Sequence, residues 1–217
     1  MSDSERSTAL QPSPPPEGVL ESAAGVLSRP VDTLRRVTSH PRVWWALLVA
    51  ALIAVGSALA GAGEAERFDG FPGSFAPVDR GGAFVAVTLI VAPLVSVLLL
   101  LAWAGIVHGV ARLLGGRARY EGTLSGFGFA QVPSALGIPA QLLPLALGSG
   151  GAVLSGLIQF ALFIWVLVLE VIAVRENHAL STGRAVAALL IPVGVVLVLL
   201  VVLVIALVAV VAGNLGG

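Results

Sequence analysis

The sequence predicts an all-α integral membrane protein, a bundle of five transmembrane helices preceded by a short amphipathic cytoplasmic arm. Three observations carry that expectation. Five long apolar stretches follow one another; 57% of residues are hydrophobic against 11% charged, with mean hydropathy +1.00; and the arginines fall on alternate connections. The stretches cover about 43–61, 84–107, 127–147, 152–174 and 185–212. Each is near the ~20 apolar residues a helix needs to cross the hydrocarbon core. This is far from the composition of a water-soluble domain. The predicted organisation is a disordered tail at 1–17, an amphipathic arm at 18–42 and one membrane domain at 43–217.

Arginine supplies all 12 basic residues, balanced by 12 acidic ones. Arg6, Arg29, Arg35, Arg36 and Arg42 precede the first stretch, Arg112, Arg117 and Arg119 follow the second, and Arg175 and Arg184 lie between the fourth and fifth. Only Arg67 and Arg80 fall in the first connection. By the positive-inside rule the chain sits in the cell membrane with its N-terminus cytoplasmic and, after five crossings, its C-terminus external. There is no cysteine, hence no disulfide framework and no thiolate metal site.

In the tail, Ser, Glu, Gln and the Pro12–Pro16 cluster leave almost nothing to bury. Beyond Gly18, Val19, Leu20, Ala23, Ala24 and Leu27 recur at helical spacing, and Pro30 suits the first turn of a second helix. Val31, Leu34 and Val37 share a face while Arg35 and Arg36 lie towards another. This reads either as an interfacial helix resting on the inner leaflet or as a solvated linker whose arginines fix topology. Trp44 and Trp45 mark the membrane interface. Ala58-Leu59-Ala60 resembles a signal-peptidase site, but more than forty residues precede its apolar run, so cleavage is not expected.

Inside the spans, Gly105 and Gly109 form a GxxxG pair expected to serve helix packing. Pro93 and Pro192 are expected kink sites. In the third stretch Gln131, Pro133, Pro139, Gln141 and Pro144 demand a kinked or split helix, because each proline removes an amide donor and clashes with the preceding turn. It is either a broken helix lining a cavity or a bent packing helix. The ionisable residues in the spans are His108, Arg112 and Glu170. All lie towards the cytoplasmic end, and Glu170 is expected to form a structural ion pair, with Arg112 before His108. Proton relay through His108 and Glu170 is the alternative.

Ser28-Arg29-Pro30 and His40-Pro41 lead into Trp44. Leu114-Gly115-Gly116-Arg117-Ala118-Arg119-Tyr120-Glu121 precedes Gly128-Phe129-Ala130-Gln131-Val132-Pro133, and Trp165 precedes Arg175-Glu176-Asn177-His178. The order of these short motifs resembles the Yip1 family of membrane proteins. The resemblance implies a five-span fold with a cytoplasmic N-terminus. Eukaryotic relatives are associated with Rab GTPases and vesicle transport. The short arginine-rich arm and alanine- and valine-rich composition suggest instead a prokaryotic protein, to which that role does not transfer.

No HExxH, Walker A or GxSxG pattern occurs, and His40, His108 and His178 lack acidic neighbours in ligand spacing. The expectation is therefore a non-enzyme with no cofactor, no metal and no nucleic-acid partner. It would be a membrane scaffold or organiser that binds a protein or anionic lipid through Arg117, Arg119, Arg175 and Arg184 on its cytoplasmic face. The alternative is a small permease or permease subunit, which would place Gln131 and Gln141 in a polar cavity.

Overall fold

A computed structural model describes residues 18–65 and 82–215. The expected tail at 1–17 and the connection carrying Arg67 and Arg80 lie outside the described residues. Among the described residues every element is helical: α1 (Val19–Ser28), α2 (Pro30–Ser39), α3 (Val43–Ala65), α4 (Gly82–Leu113), α5 (Tyr120–Ala130), a 3-10 turn (Val132–Leu136), α6 (Gly137–Ala140), α7 (Leu143–His178) and α8 (Thr182–Leu215). Four of these, α3, α4, α7 and α8, are long and apolar enough to cross a membrane. Pro93 and Pro192 are carried inside α4 and α8.

The third apolar stretch departs from an unbroken span. After Ala130 the helix gives way to the 3-10 turn, then to the single turn of α6, and its last residues form the start of α7. The prolines account for the breaks. Pro133 sits in the first positions of the 3-10 turn and Pro144 in those of α7, where the missing amide leaves no intrahelical bond unmade. Within α7, Gly148 adopts φ 59°, ψ −135°, a conformation essentially reserved for glycine. A Cβ on Gly151 would run into the Leu143 carbonyl. In a straight helix those residues would stand ~12 Å apart, so the chain doubles back at Gly148.

The broken segment is the centre of the molecule. Residues Gly122 to Ala130 of α5 are all buried, Phe127 and Phe129 completely, among α2, α3, α4 and α7. Small residues permit this. Cβ atoms at Gly122, Gly126 and Gly128 would strike Thr38 and Asn177, Thr38 and Ala173, and Ala46, respectively. The close-packing glycines are therefore not the expected pair: Gly109 has nothing within 4 Å, and Gly105 meets only the edge of Tyr120 at 3.9 Å.

These contacts also give the segment a direction. Gly128 lies against Ala46, Gly56 against Ile138, and Gln141 Nε2 donates to Ser57 Oγ at 3.4 Å, so the segment runs parallel to α3. Gly122 lies against Asn177, Gly126 against Ala173, and Gln159 Nε2 donates to the Gly137 carbonyl at 3.0 Å, so it runs antiparallel to α7. The arm docks on the same core. Leu34 and Val37 of α2 are buried where that helix meets α5 and α7, while Arg35 and Arg36 stay exposed. The α2 face bearing Leu34 and Val37 is thus covered by protein, while Leu20 and Leu27 of α1 stay exposed. The C-terminal part of α8 presents aliphatic side chains outward from Val195 to Ile205, as a helix facing lipid does.

Candidate functional site

The arm, the α4–α5 connection and the α7–α8 turn gather at one end of the bundle, and three features are built there or just beneath. The first is a polar cluster centred on Thr123, which is 0% exposed. Its Oγ1 lies 3.1 Å from His108 Nδ1 and 3.1 Å from His178 Nε2, and accepts from Asn177 Nδ2 at 2.9 Å. The two imidazoles are 4.9 Å apart, and Tyr120 meets His108 edge to face while its hydroxyl donates to the Leu101 carbonyl at 2.9 Å. Gly115 ends α4 at φ 98°, and Gly116 is seated so closely on His178 that no Cβ fits. Gly116, in the loop after α4, thus shapes the socket for a histidine far along the chain. No spacing rule joins His108, Thr123 and His178, so sequence reasoning missed the cluster.

Glu176 fastens the arm beside it. Arg35 Nε donates to Glu176 Oε2 at 2.7 Å, and Arg175 donates to Oε1 through Nε at 2.9 Å and Nη2 at 2.7 Å. The hydrogen bond and charge of Glu176 push the Arg35 pKa further above its ordinary value. Arg175, expected on a partner-binding surface, is therefore committed to an internal carboxylate. Arg184 is exposed, with a guanidinium nitrogen above Gly115.

The second feature is a groove of about 750 Å³ between the end of the arm and the α4–α5 connection, where Arg42, Arg117, Arg119, Trp44, Trp45 and Asn177 meet. Arg117 and Arg119 are exposed, and Trp44 is 84% exposed. Arg119 approaches Glu121 at 3.7 Å on the open surface, a weak pairing. The Arg42 amide donates to Ser125 Oγ at 3.0 Å, which ties the groove floor to α5. Two of the four expected surface arginines are thus brought together, and Arg42, not singled out from the sequence, joins them.

The third feature is a cavity of about 1010 Å³ between α3, α4, α7 and the broken segment. Glu170, 3% exposed, lines it, and its Oε2 accepts from Trp103 Nε1 at 3.1 Å. The expected pair with Arg112 does not form. Arg112 Nη1 donates instead to the Ala118 carbonyl at 3.3 Å, and His108 turns to Thr123. The reason is register. α7 continues to His178, which puts Glu170 eight residues, ~12 Å, below the helix end. It therefore lies level with Trp103 rather than with Arg112, which is nine residues further along α4 and so on the opposite helix face. Gln131 and Ser134 line the cavity too, whereas Gln141 is spent on Ser57. No group of three or more His, Cys, Asp or Glu suited to a metal occurs among the described residues.

The family model for the Yip1 domain matches residues 24–205, from within α1 through the broken segment to most of α8. No curated protein and no solved structure matches the chain.

Proposed function

This chain belongs to the Yip1 family, and on that premise we propose that it is a non-enzymatic, multi-pass organiser of the cell membrane that holds anionic headgroups in the arginine- and tryptophan-lined groove at its cytoplasmic end. The membrane character is plain from the family and from four helices of spanning length. The five-crossing reading takes the broken segment as the remaining span. Support comes from its direction, parallel to α3 and antiparallel to α7, and from the reversal at Gly148. The N-inside, C-outside orientation then follows from the arginine distribution. The arm, 18–42, is a docked appendage and the membrane part begins at Val43.

The groove carries the functional reading. A phosphate group suits guanidinium forks, and indoles prefer the headgroup level, so arginine beside tryptophan at a span end matches the chemistry of an anionic lipid head. In neutral nanodiscs, a short-chain phosphatidylglycerol is expected to bind in preference to its phosphatidylcholine analogue. Arg117→Gln with Arg119→Gln should weaken that binding about tenfold or more, each charged hydrogen bond contributing about 1.5–3 kcal/mol. Equal affinity for the two lipids would reject the reading. Topology has a separate test, clean because no native cysteine exists. Ser74→Cys should react with an impermeant maleimide on intact cells and Ser181→Cys only after permeabilisation; the reverse pattern inverts the orientation.

A second reading, a small permease or permease subunit, is favoured by one observation: Gln131 of the broken segment lines the same cavity as Glu170. Substrate flux through proteoliposomes lacking any other protein would establish it.

A further inference from the structure

The cavity below the groove has its own chemistry, and it needs only the membrane setting of α4 and α7. Its wall is made of side chains such as Val91, Leu99 and Phe163. These also face outward from the bundle, Leu99 by 64%, so the cavity opens sideways towards the acyl chains rather than into water. Ser96, Gln131, Ser134 and Gln159 add uncharged polar groups to the lining, and the Glu170 carboxyl with the Trp103 indole closes one end. Among the lining residues Glu170 is the one ionisable group, and no arginine or histidine shares the space. The indole already meets one carboxylate oxygen. The cavity therefore offers an apolar channel for a chain and, at its end, a carboxyl with capacity for a further hydrogen bond.

We propose that this cavity binds a membrane-dissolved, single-chain amphiphile with a cationic amine head, its chain between α4 and α7 and its ammonium against Glu170. Charge decides among occupants. A fatty acid would set a second carboxyl beside the first in a low-dielectric site with no cation to separate them, whereas an ammonium gives a charge-paired hydrogen bond. The volume, about 1010 Å³, is at the upper end for a small-molecule site and accommodates a long alkyl chain.

The test uses the full chain in phosphatidylcholine vesicles with Trp44, Trp45 and Trp165 changed to phenylalanine, leaving Trp103 as the single indole. A long-chain amine carrying a doxyl quencher is titrated against a fatty acid of the same length and label position. Saturable quenching by the amine at about tenfold lower concentration than by the acid is expected. Glu170→Gln should abolish that preference. Val91→Phe, which narrows the mouth without touching Glu170, should weaken binding of the amine while leaving thermal unfolding unchanged. Equal or unsaturable quenching by amine and acid would overturn the proposal, and so would an amine preference that survives Glu170→Gln. The amine–acid comparison and Val91→Phe decide the matter even if the Glu170 variant fails to fold. Since the groove arginines play no part, Arg117→Gln with Arg119→Gln should leave amine binding intact, which separates this site from the headgroup site.

Discussion

Gly128→Val is expected to prevent the bundle from packing around α5 and to lower stability by about 3 kcal/mol or more, at the severe end of overpacking. The contact leaves nothing that can move aside. A Cβ at Gly128 would meet not only the Ala46 methyl but the Ala46 Cα and carbonyl oxygen, both at 2.7 Å, so two helix backbones would have to separate. Both neighbours are themselves locked in the core, Ala46 at 0% exposure and Phe127 and Phe129 on either side of the glycine likewise. Thermal unfolding in mild detergent, followed by size-exclusion chromatography, measures the loss. Gly109→Val is the control: it has open space beside it and should change stability by no more than about 1 kcal/mol. Ala46→Gly placed on Gly128→Ala should recover part of the loss, because it removes the methyl contact but leaves the backbone ones. Equal behaviour of the Gly128 and Gly109 variants would show that α5 is not the close-packed axis.

That contrast shows what the chain discloses before it folds. Hydropathy and proline placement depend on local chemistry, so the apolar stretches and the break around Pro133, Pro139 and Pro144 are legible in the sequence. Which face of a helix meets which neighbour depends on rotation and register, which hydropathy does not encode. Gly105 and Gly109 have the right spacing, yet Gly109 faces open space and Gly105 only the edge of Tyr120, while Gly122, Gly126 and Gly128, just as visible, form the contact. Glu170 was legible as a buried carboxyl needing a partner, but choosing Trp103 over Arg112 required knowing that α7 runs on to His178. In the surface set, Arg117 and Arg119 come together with Arg42. Arg175 does not join them, because Glu176 beside it recruits both it and Arg35.

Thr123→Val should destabilise the basic end of the bundle by about 2–3 kcal/mol, although the side chain keeps its shape. A hydroxyl has one hydrogen to give and two lone pairs to fill. Asn177 fills one lone pair, one imidazole N–H fills the other, and the hydroxyl hydrogen goes to a bare nitrogen of the second imidazole; Thr123 is thus saturated by three side chains from α4 and α7. Valine would leave Nε2 of the buried His178 facing a methyl, at a penalty of about 1–3 kcal/mol, and would take one partner from the half-buried His108 and from Asn177, whose Nδ2 keeps the Arg119 carbonyl at 3.4 Å. Thr123→Ser keeps the hydroxyl and loses one methyl, so it should cost only about 1 kcal/mol. His178 sharpens the expectation, since its Nδ1 is already buried with no hydrogen-bond partner among the described residues, so the valine variant would leave both its ring nitrogens unsatisfied. Detergent unfolding of the two variants side by side is the measurement. A valine variant as stable as the serine one would mean that packing alone holds α4, α5 and α7 together at this end; a large gap between them would mean that the hydroxyl fixes how those helices are rotated against one another, and with them the Arg117 and Arg119 loop that α5 follows.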